Sequence, residues 1–304
     1  MEELEDHTIQ EEKTLWKKTL ILLVILVLCV FAGNLVLALL ALAGGLSLDS
    51  GLDIFSAVSD PGMKPYIKTG IGLNHLILFT GSSLLFVYWL KGVNWRKYFS
   101  IHPVDSSLLM SFILLMVCAY PIIGASAMVF EGVEWANQMD ESSIEALMSM
   151  LEMDGIPDLL VNLVIVALLP AIGEELLFRG IIQKELVNRL ANPHVAIFLA
   201  SAIFSGIHLQ IQGFLPKLFI GLILGYAYYW TKSLWYPMIL HFINNGMQTL
   251  LLFLAGDQLE AMEDEAIQPE KLYLIIGVVF SCFLCYLIVG NIRRQIAEKH
   301  NENV

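Results

Sequence analysis

The chain has 304 residues, 57% hydrophobic and 15% charged, with a mean hydropathy of +0.69; a soluble domain is nearer to about half apolar and about a quarter charged, so composition excludes one and predicts an integral membrane protein. The net charge is −12 and the isoelectric point about 5.0, and no basic, aromatic-rich stretch is present, which excludes a nucleic-acid partner. The acidic residues gather in the N-terminal tail and in residues 131–155 and 256–270, read as solvated loops.

Crossing about 30 Å of hydrocarbon takes roughly 20 mostly apolar residues. Eight such runs are expected, near residues 19–43, 71–90, 107–130, 159–183, 195–209, 214–231, 234–255 and 272–290, of which the fifth is short. The domain reading is a cytoplasmic tail over 1–18, a single transmembrane domain over 19–290 and a cytoplasmic tail over 291–304. With the N-terminus inside, the inner segments hold Lys13, Lys17, Lys18, Lys91, Arg96, Lys97, Lys184, Arg189, Lys232, Arg293, Arg294 and Lys299. The outer segments hold Lys64, Lys68, Lys217 and Lys271. That asymmetry supports eight crossings with both termini cytoplasmic.

In the first run "ALAGG" at 41–45 has the small-x-small look of a cleavage site, but an apolar stretch of about 24 residues exceeds the usual signal-peptide core, so a retained anchor is expected. Cys29, Cys118, Cys282 and Cys285 lie in apolar runs and read as buried thiols; "CFLC" has redox spacing but neither a preceding strand nor a second pair. Between the third and fourth runs, Ser142 and Glu145 have capping-box spacing, with Ile144, Leu147, Met148 and Leu151 at helical spacing. Residues 142–151 are thus either a short amphipathic helix on the outer surface or a plain acidic loop. Pro121, Pro170 and Pro237 fall in or at the start of spans, where they free carbonyls that neighbouring helices must satisfy. Gly221 and Gly225 in "GLILG" have close-packing spacing.

A charged side chain at the centre of a membrane helix costs at least about 2.5–3.5 kcal/mol, which makes it a functional hypothesis by default. Three clusters qualify: "GEELLFRG" at 173–180 in the fourth run, "FSGIHL" at 204–209 closing the fifth, and "HFINNG" at 241–246 in the seventh. On a helix Glu175 and Arg179 share a face and can pair, while Glu174 points about 100° away. That leaves Glu174 to act as a general base. A buried ion network that only locks helices together is the structural alternative. His241 and Asn245 share one side of the seventh run, and His208 comes from another helix, whereas His75 stands alone and reads as an interhelical donor. A carboxylate, two imidazoles and an amide are the parts needed to hydrolyse a peptide bond. At 1.5 Å per residue Glu174, His208 and Asn245 fall at similar depth, but His241 falls about one to two turns lower. Tilt, or partial re-entry around "QIQGFLP", has to close that gap.

These clusters, in this order, resemble the CAAX-processing and bacteriocin-immunity (CPBP or Abi) family of intramembrane proteases. The pattern is two adjacent glutamates and an arginine (Glu174, Glu175, Arg179), a phenylalanine four before a histidine (Phe204, His208), and a histidine four before an asparagine (His241, Asn245). The resemblance covers roughly 155–255. It implies an all-α polytopic membrane protein of about eight helices around a polar intramembrane cavity, cleaving a membrane-associated protein or peptide near the bilayer surface. It implies that Glu174 with His208 activates water, that His241 and Asn245 stabilise the oxyanion, and that Glu175, Arg179 and Phe204 support them. No cofactor is favoured. A divalent metal such as zinc on Glu174, His208 and His241 is the alternative, although H-E-x-x-H is absent. No G-x-S-x-G elbow occurs, which argues against a serine mechanism. A non-catalytic scaffold or immunity protein on the same fold, and a transporter using Glu174 and His208 as a proton relay, are the competing functions. The expected location is a bacterial inner membrane; in eukaryotic relatives the substrate is a prenylated protein losing its last three residues, a substrate class a bacterium usually lacks.

Overall fold

The computed structural model describes residues 2–46, 60, 62–130, 151–255 and 271–302. Among them the regular structure is helical, with no strand, as an all-α membrane protein requires. The long helices are α1 (Glu2–Gly44), α2 (Lys64–Trp89), α3 (Ser106–Ala127), α4 (Ile156–Arg189), α5 (Pro193–Gly206), α6 (Phe214–Thr231), α7 (Trp235–Ala255) and α8 (Lys271–Glu302). Each coincides with one of the eight apolar runs. Six are long and apolar enough to cross a bilayer; α5, a shorter apolar helix, and α6, which ends in Tyr226, Tyr228, Tyr229 and Trp230, do not meet that standard. The segment read as an N-terminal tail is helical from Glu2 and continuous with the first span. Residues 142–150 of the expected amphipathic segment, like most of the two acidic loops, lie outside the described residues.

The chain divides into two compact units, 1–98 and 99–304. In the first, α1 packs on α2 where small residues let the backbones approach. A Cβ on Gly70 would lie 2.6 Å from Leu37 Cδ1 and 3.2 Å from its Cα, and one on Gly33 would lie 2.2 Å from Asn74 Oδ1. Leu37, Ala41 and Ile67 are buried there. The helix α2 carries a π-helical turn at Leu76–Gly81, and the chain turns after it at Lys91 and Gly92, both at positive φ. The His75 ring lies 4.4 Å from that of Phe79.

In the second unit α3, α6, α7 and α8 share a core of Phe112, Met116, Leu224, Tyr236, Leu240 and Ile292. Cys282 and Cys285 are free thiols on α8, as are Cys29 and Cys118 elsewhere. The segment before α3 is fastened to the start of α7: Leu234 N donates to Ser100 O at 3.2 Å, Ser233 Oγ to His102 O at 2.7 Å, and Asp105 N to Tyr236 Oη at 2.9 Å. Asp105 caps α3, its carboxylate accepting from Leu108 N at 2.8 Å, and pairs with Lys299 of α8. The hydrogen bond from Lys299, followed by that from Leu108, holds the Asp105 carboxyl below the usual carboxylate range.

Because that folded value is depressed, the stability Asp105 contributes is present above the unfolded pKa of about 3.9 and lost as pH falls through the folded one. Asp105→Ala is expected to lower stability by about 1 kcal/mol through the lost cap, and Asp105→Asn by less. Thermal melts at neutral pH and near pH 3 check this; the Ala deficit is expected to shrink at the lower pH.

Candidate active site

The helix α4 departs from α geometry twice, in π-helical turns at Leu163–Leu168 and Phe178–Gln183. Such turns widen the helix by one residue and cluster at functional positions. Pro170, between them, has no N–H for the carbonyl of Val166 four residues back. Asn245 of α7 supplies the missing donor, its Nδ2 lying 3.0 Å from Val166 O. A bond imposed by proline chemistry on one helix thus places an asparagine of another.

The stretch "GEELLFRG" straddles the second π-helical turn. Glu175 Oε1 accepts from Arg179 Nη1 at 2.9 Å and from His241 Nδ1 at 2.8 Å. The three side chains are 0%, 1% and 4% exposed. Arg179 also donates to Gly221 O at 3.1 Å and stands 4.7 Å over the Phe204 ring, adding a cation–π contact. One turn on, Gln183 Nε2 donates to Gly225 O at 2.9 Å. The two glycines of "GLILG" make this possible: a Cβ on Gly225 would lie 2.8 Å from Gln183 Oε1, and one on Gly221 3.1 Å from Ser201 Cβ. Gly180 is constrained likewise, since a Cβ there would lie 2.6 Å from the Phe99 ring.

Glu174 lies 3.9 Å from His241, Oε2 to Nε2, and is 6% exposed. His241 therefore faces both glutamates, one through each ring nitrogen. A carboxylate oxygen only accepts, so Nδ1 carries its proton toward Glu175 and Nε2 is turned to Glu174. His208 lies just past the end of α5, where the chain turns through Leu209 at positive φ. Its Nδ1 lies 2.9 Å from Phe204 O, an acceptor, which leaves Nε2 as the basic nitrogen. The Phe204 ring is 5.2 Å from His208 and 5.9 Å from His241, edge-on to both.

Glu174, Phe204, His208, His241 and Asn245 line one cavity of about 780 Å³, within the range of small-molecule and peptide sites. The expected depth gap at His241 is closed. The turn over 207–213 between α5 and α6 and the two π-helical turns of α4 shift the register that a straight-helix estimate assumes. Tyr120, Asn244, Lys217 and Thr249 also line the cavity and were not singled out from the sequence. Asn244 stands next to Asn245 and Lys217 interrupts an apolar run, which were the available signals. Among the described residues no three His, Cys, Asp or Glu side chains form a group set to hold a metal ion, Glu174, His208 and His241 included.

The fold and the cavity define the class: a polytopic α-helical membrane protein whose buried ionisable cluster opens on a cavity. Residues 156–247 match the family described as Type II CAAX prenyl endopeptidase Rce1-like. Through this segment the resemblance read from the three motifs holds. The membrane-embedded CAAX protease MroQ of Staphylococcus aureus (strain USA300) is 31% identical over 107 residues, 33% of this chain and 43% of that protein. The uncharacterized protein YpbD of Bacillus subtilis (strain 168) is 34% identical over 86 residues, 27% of this chain and 41% of that protein. An uncharacterized 24.3 kDa protein of Escherichia coli is 29% identical over 177 residues, 57% of this chain and 78% of that protein. The match spans about two fifths of the length of the first two relatives. No solved structure matches the chain.

Arg179→Ala leaves Glu175 as an uncompensated buried charge, and breaking such a pair costs about 3–5 kcal/mol. The expected result is a clear drop in melting temperature or in folded yield from detergent; an unchanged melting curve would show that the pair contributes nothing.

Proposed function

We propose that the protein is an intramembrane endopeptidase that hydrolyses a peptide bond of a membrane-associated protein or peptide. The observation that carries this reading is the placement of Glu174 on the cavity wall, 3.9 Å from His241 Nε2, while its neighbour Glu175 is committed to Arg179 and to His241 Nδ1. A carboxylate on a cavity wall beside an imidazole stands where a general base is needed. Glu174, with His208 Nε2, takes a proton from water. The resulting hydroxide adds to the substrate carbonyl, and the oxyanion is met by an N–H of Asn245 and by His241; its collapse breaks the C–N bond, and the proton taken up by Glu174 passes to the departing amine nitrogen. With Nδ1–H committed to Glu175, His241 donates from Nε2 only as the imidazolium, whose charge Glu174 balances before it takes the proton and the oxyanion balances afterwards. Glu175, Arg179 and Phe204 hold the imidazole and the helices in place.

The reading is metal-free and places the protein in a cell membrane, bacterial by the relatives it matches, with both termini cytoplasmic. MroQ is by name a CAAX protease; whether prenylation or only a membrane anchor marks the substrate here follows from the substrate itself.

Glu174→Gln keeps the shape and removes the base, so it is expected to abolish turnover, a loss of at least about 100-fold, with folding intact. The measurement is a mass-spectrometric census of new protein termini in membranes of cells expressing wild type or variant at equal levels. Termini confined to the wild type support proteolysis and name the substrate; the same termini with Glu174→Gln would remove Glu174 as the base. A peptide spanning the recovered junction, incubated with purified protein and an excess of a zinc chelator, is expected to be cleaved at the untreated rate. Loss of cleavage restored by added zinc would move Glu174, His208 and His241 from base and donors to ligands.

A further inference from the structure

The family match begins at residue 156, and nothing in the three motifs assigns a task to α3. One side chain of α3 nonetheless reaches the site through an unbroken chain of hydrogen bonds. Tyr120 Oη donates to Asn244 Oδ1 at 3.0 Å. Asn244 Nδ2 donates to Asn245 Oδ1 at 3.0 Å, and Asn245 Nδ2 donates to Val166 O at 3.0 Å.

The direction of this chain is set by chemistry at one end. Val166 O can only accept, so Asn245 must turn its NH2 group toward α4 and its Oδ1 the other way. That oxygen needs a donor, which fixes Asn244 with its NH2 toward Asn245. Asn244 Oδ1 then points at Tyr120, whose hydroxyl satisfies it. Asn244 is 3% exposed, so its carbonyl has little access to water if the tyrosine hydroxyl is removed. The flip of an amide is otherwise a low-cost rotation, and a flipped Asn244 would set its oxygen against the oxygen of Asn245. An amide NH2 has two hydrogens, and the chain uses one of those on Asn245. The second belongs to a residue that lines the cavity.

We propose that Tyr120 is a positioning residue which, through Asn244, locks the Asn245 amide in the orientation that presents its second N–H to the reacting carbonyl oxygen. This rests on the endopeptidase reading for its consequence, though not for its geometry. It gives α3 a part in the site: a hydroxyl on the helix outside the matched segment decides which way an amide inside it faces. The relay also joins three helices, since Tyr120 lies on α3, Asn244 and Asn245 on α7, and Val166 on α4.

The test uses the full chain in lipid nanodiscs and, as probe, a peptide spanning the junction recovered in the census of termini. Tyr120→Phe is expected to lower kcat about ten-fold with KM changed less than about two-fold, because a misdirected donor weakens the transition state and not substrate binding. In an Asn245→Ala background the same substitution is expected to cost less than about two-fold more, since Tyr120 then has no amide to direct. Asn244→Ala, which breaks the chain at its middle, is expected to match Tyr120→Phe. Equal losses in both backgrounds, or an unchanged kcat, would overturn the proposal. A readout without turnover separates it from the protease reading: in ¹⁵N-asparagine-labelled protein, Tyr120→Phe is expected to shift the side-chain amide signals of Asn244 and Asn245 together. Unmoved Asn245 signals would refute the relay. A wild type that cleaves nothing would refute the protease, and the amide signals would then decide the relay by themselves.

Discussion

The second unit of the chain depends on one carboxylate oxygen. Glu175 Oε1 accepts from Arg179 on its own helix and from His241 on α7, and Arg179 carries the connection on to Gly221 of α6. In lipid these groups have no water to fall back on, and each alone would be costly. Together they turn the expense of burial into a constraint on three helices, because moving any one strands a charge. The second oxygen, Oε2, is buried without a hydrogen-bond partner among the described residues, so the load falls on Oε1.

Around that oxygen the backbone breaks its own rules and side chains repair the damage. Pro170 withholds a donor from Val166, and Asn245 replaces it. The glycines at 221 and 225 bare their carbonyls to α4, and Arg179 and Gln183 bond them. A membrane tolerates such departures only where protein satisfies the freed groups. The irregular stretches of α4 and the polar residues of α6 and α7 are therefore one feature. A cavity of about 780 Å³ adjoins them.

Much of this was legible in the sequence, for reasons that also explain what was not. Span positions follow from hydropathy: the six helices long and apolar enough to cross a bilayer fall on six of the eight apolar runs, because burying helix backbone in hydrocarbon leaves little choice. The pairing of Glu175 with Arg179 follows from a spacing of four on a helix. The level of His241 did not follow: a straight helix with a uniform rise has no place for π-helical turns, and nothing in "LVIVAL" or "FRGIIQ" announces one. Nor did the link from Tyr120 to Asn244, because it joins residues 124 apart in sequence, and pairwise contact between helices leaves no periodic trace in either. Composition marked 1–18 as a polar tail and said nothing of its backbone, which from Glu2 continues α1; charge on a helix end in water carries no penalty that would end the helix.

Two adjacent glutamates have been given opposite circumstances by the 100° that separates them on the helix. Counted formally, Glu174, Glu175 and Arg179 carry −2 and +1, a net −1, and an imidazolium at His241 brings the cluster of four to zero. Opposite unit charges about 4 Å apart interact by about 4 kcal/mol at an effective dielectric of 20, so the balance matters in this setting. Glu175 is bound twice over, to Arg179 and to His241. The proton that completes the balance therefore has two places to reside, on Glu174 or on His241 Nε2, which face each other across 3.9 Å. On the proposed chemistry that is the property a base inside a bilayer needs: it takes up a proton and gives it back while the charge of its surroundings stays compensated. Arg179, which touches no substrate in this scheme, is what makes the arrangement possible.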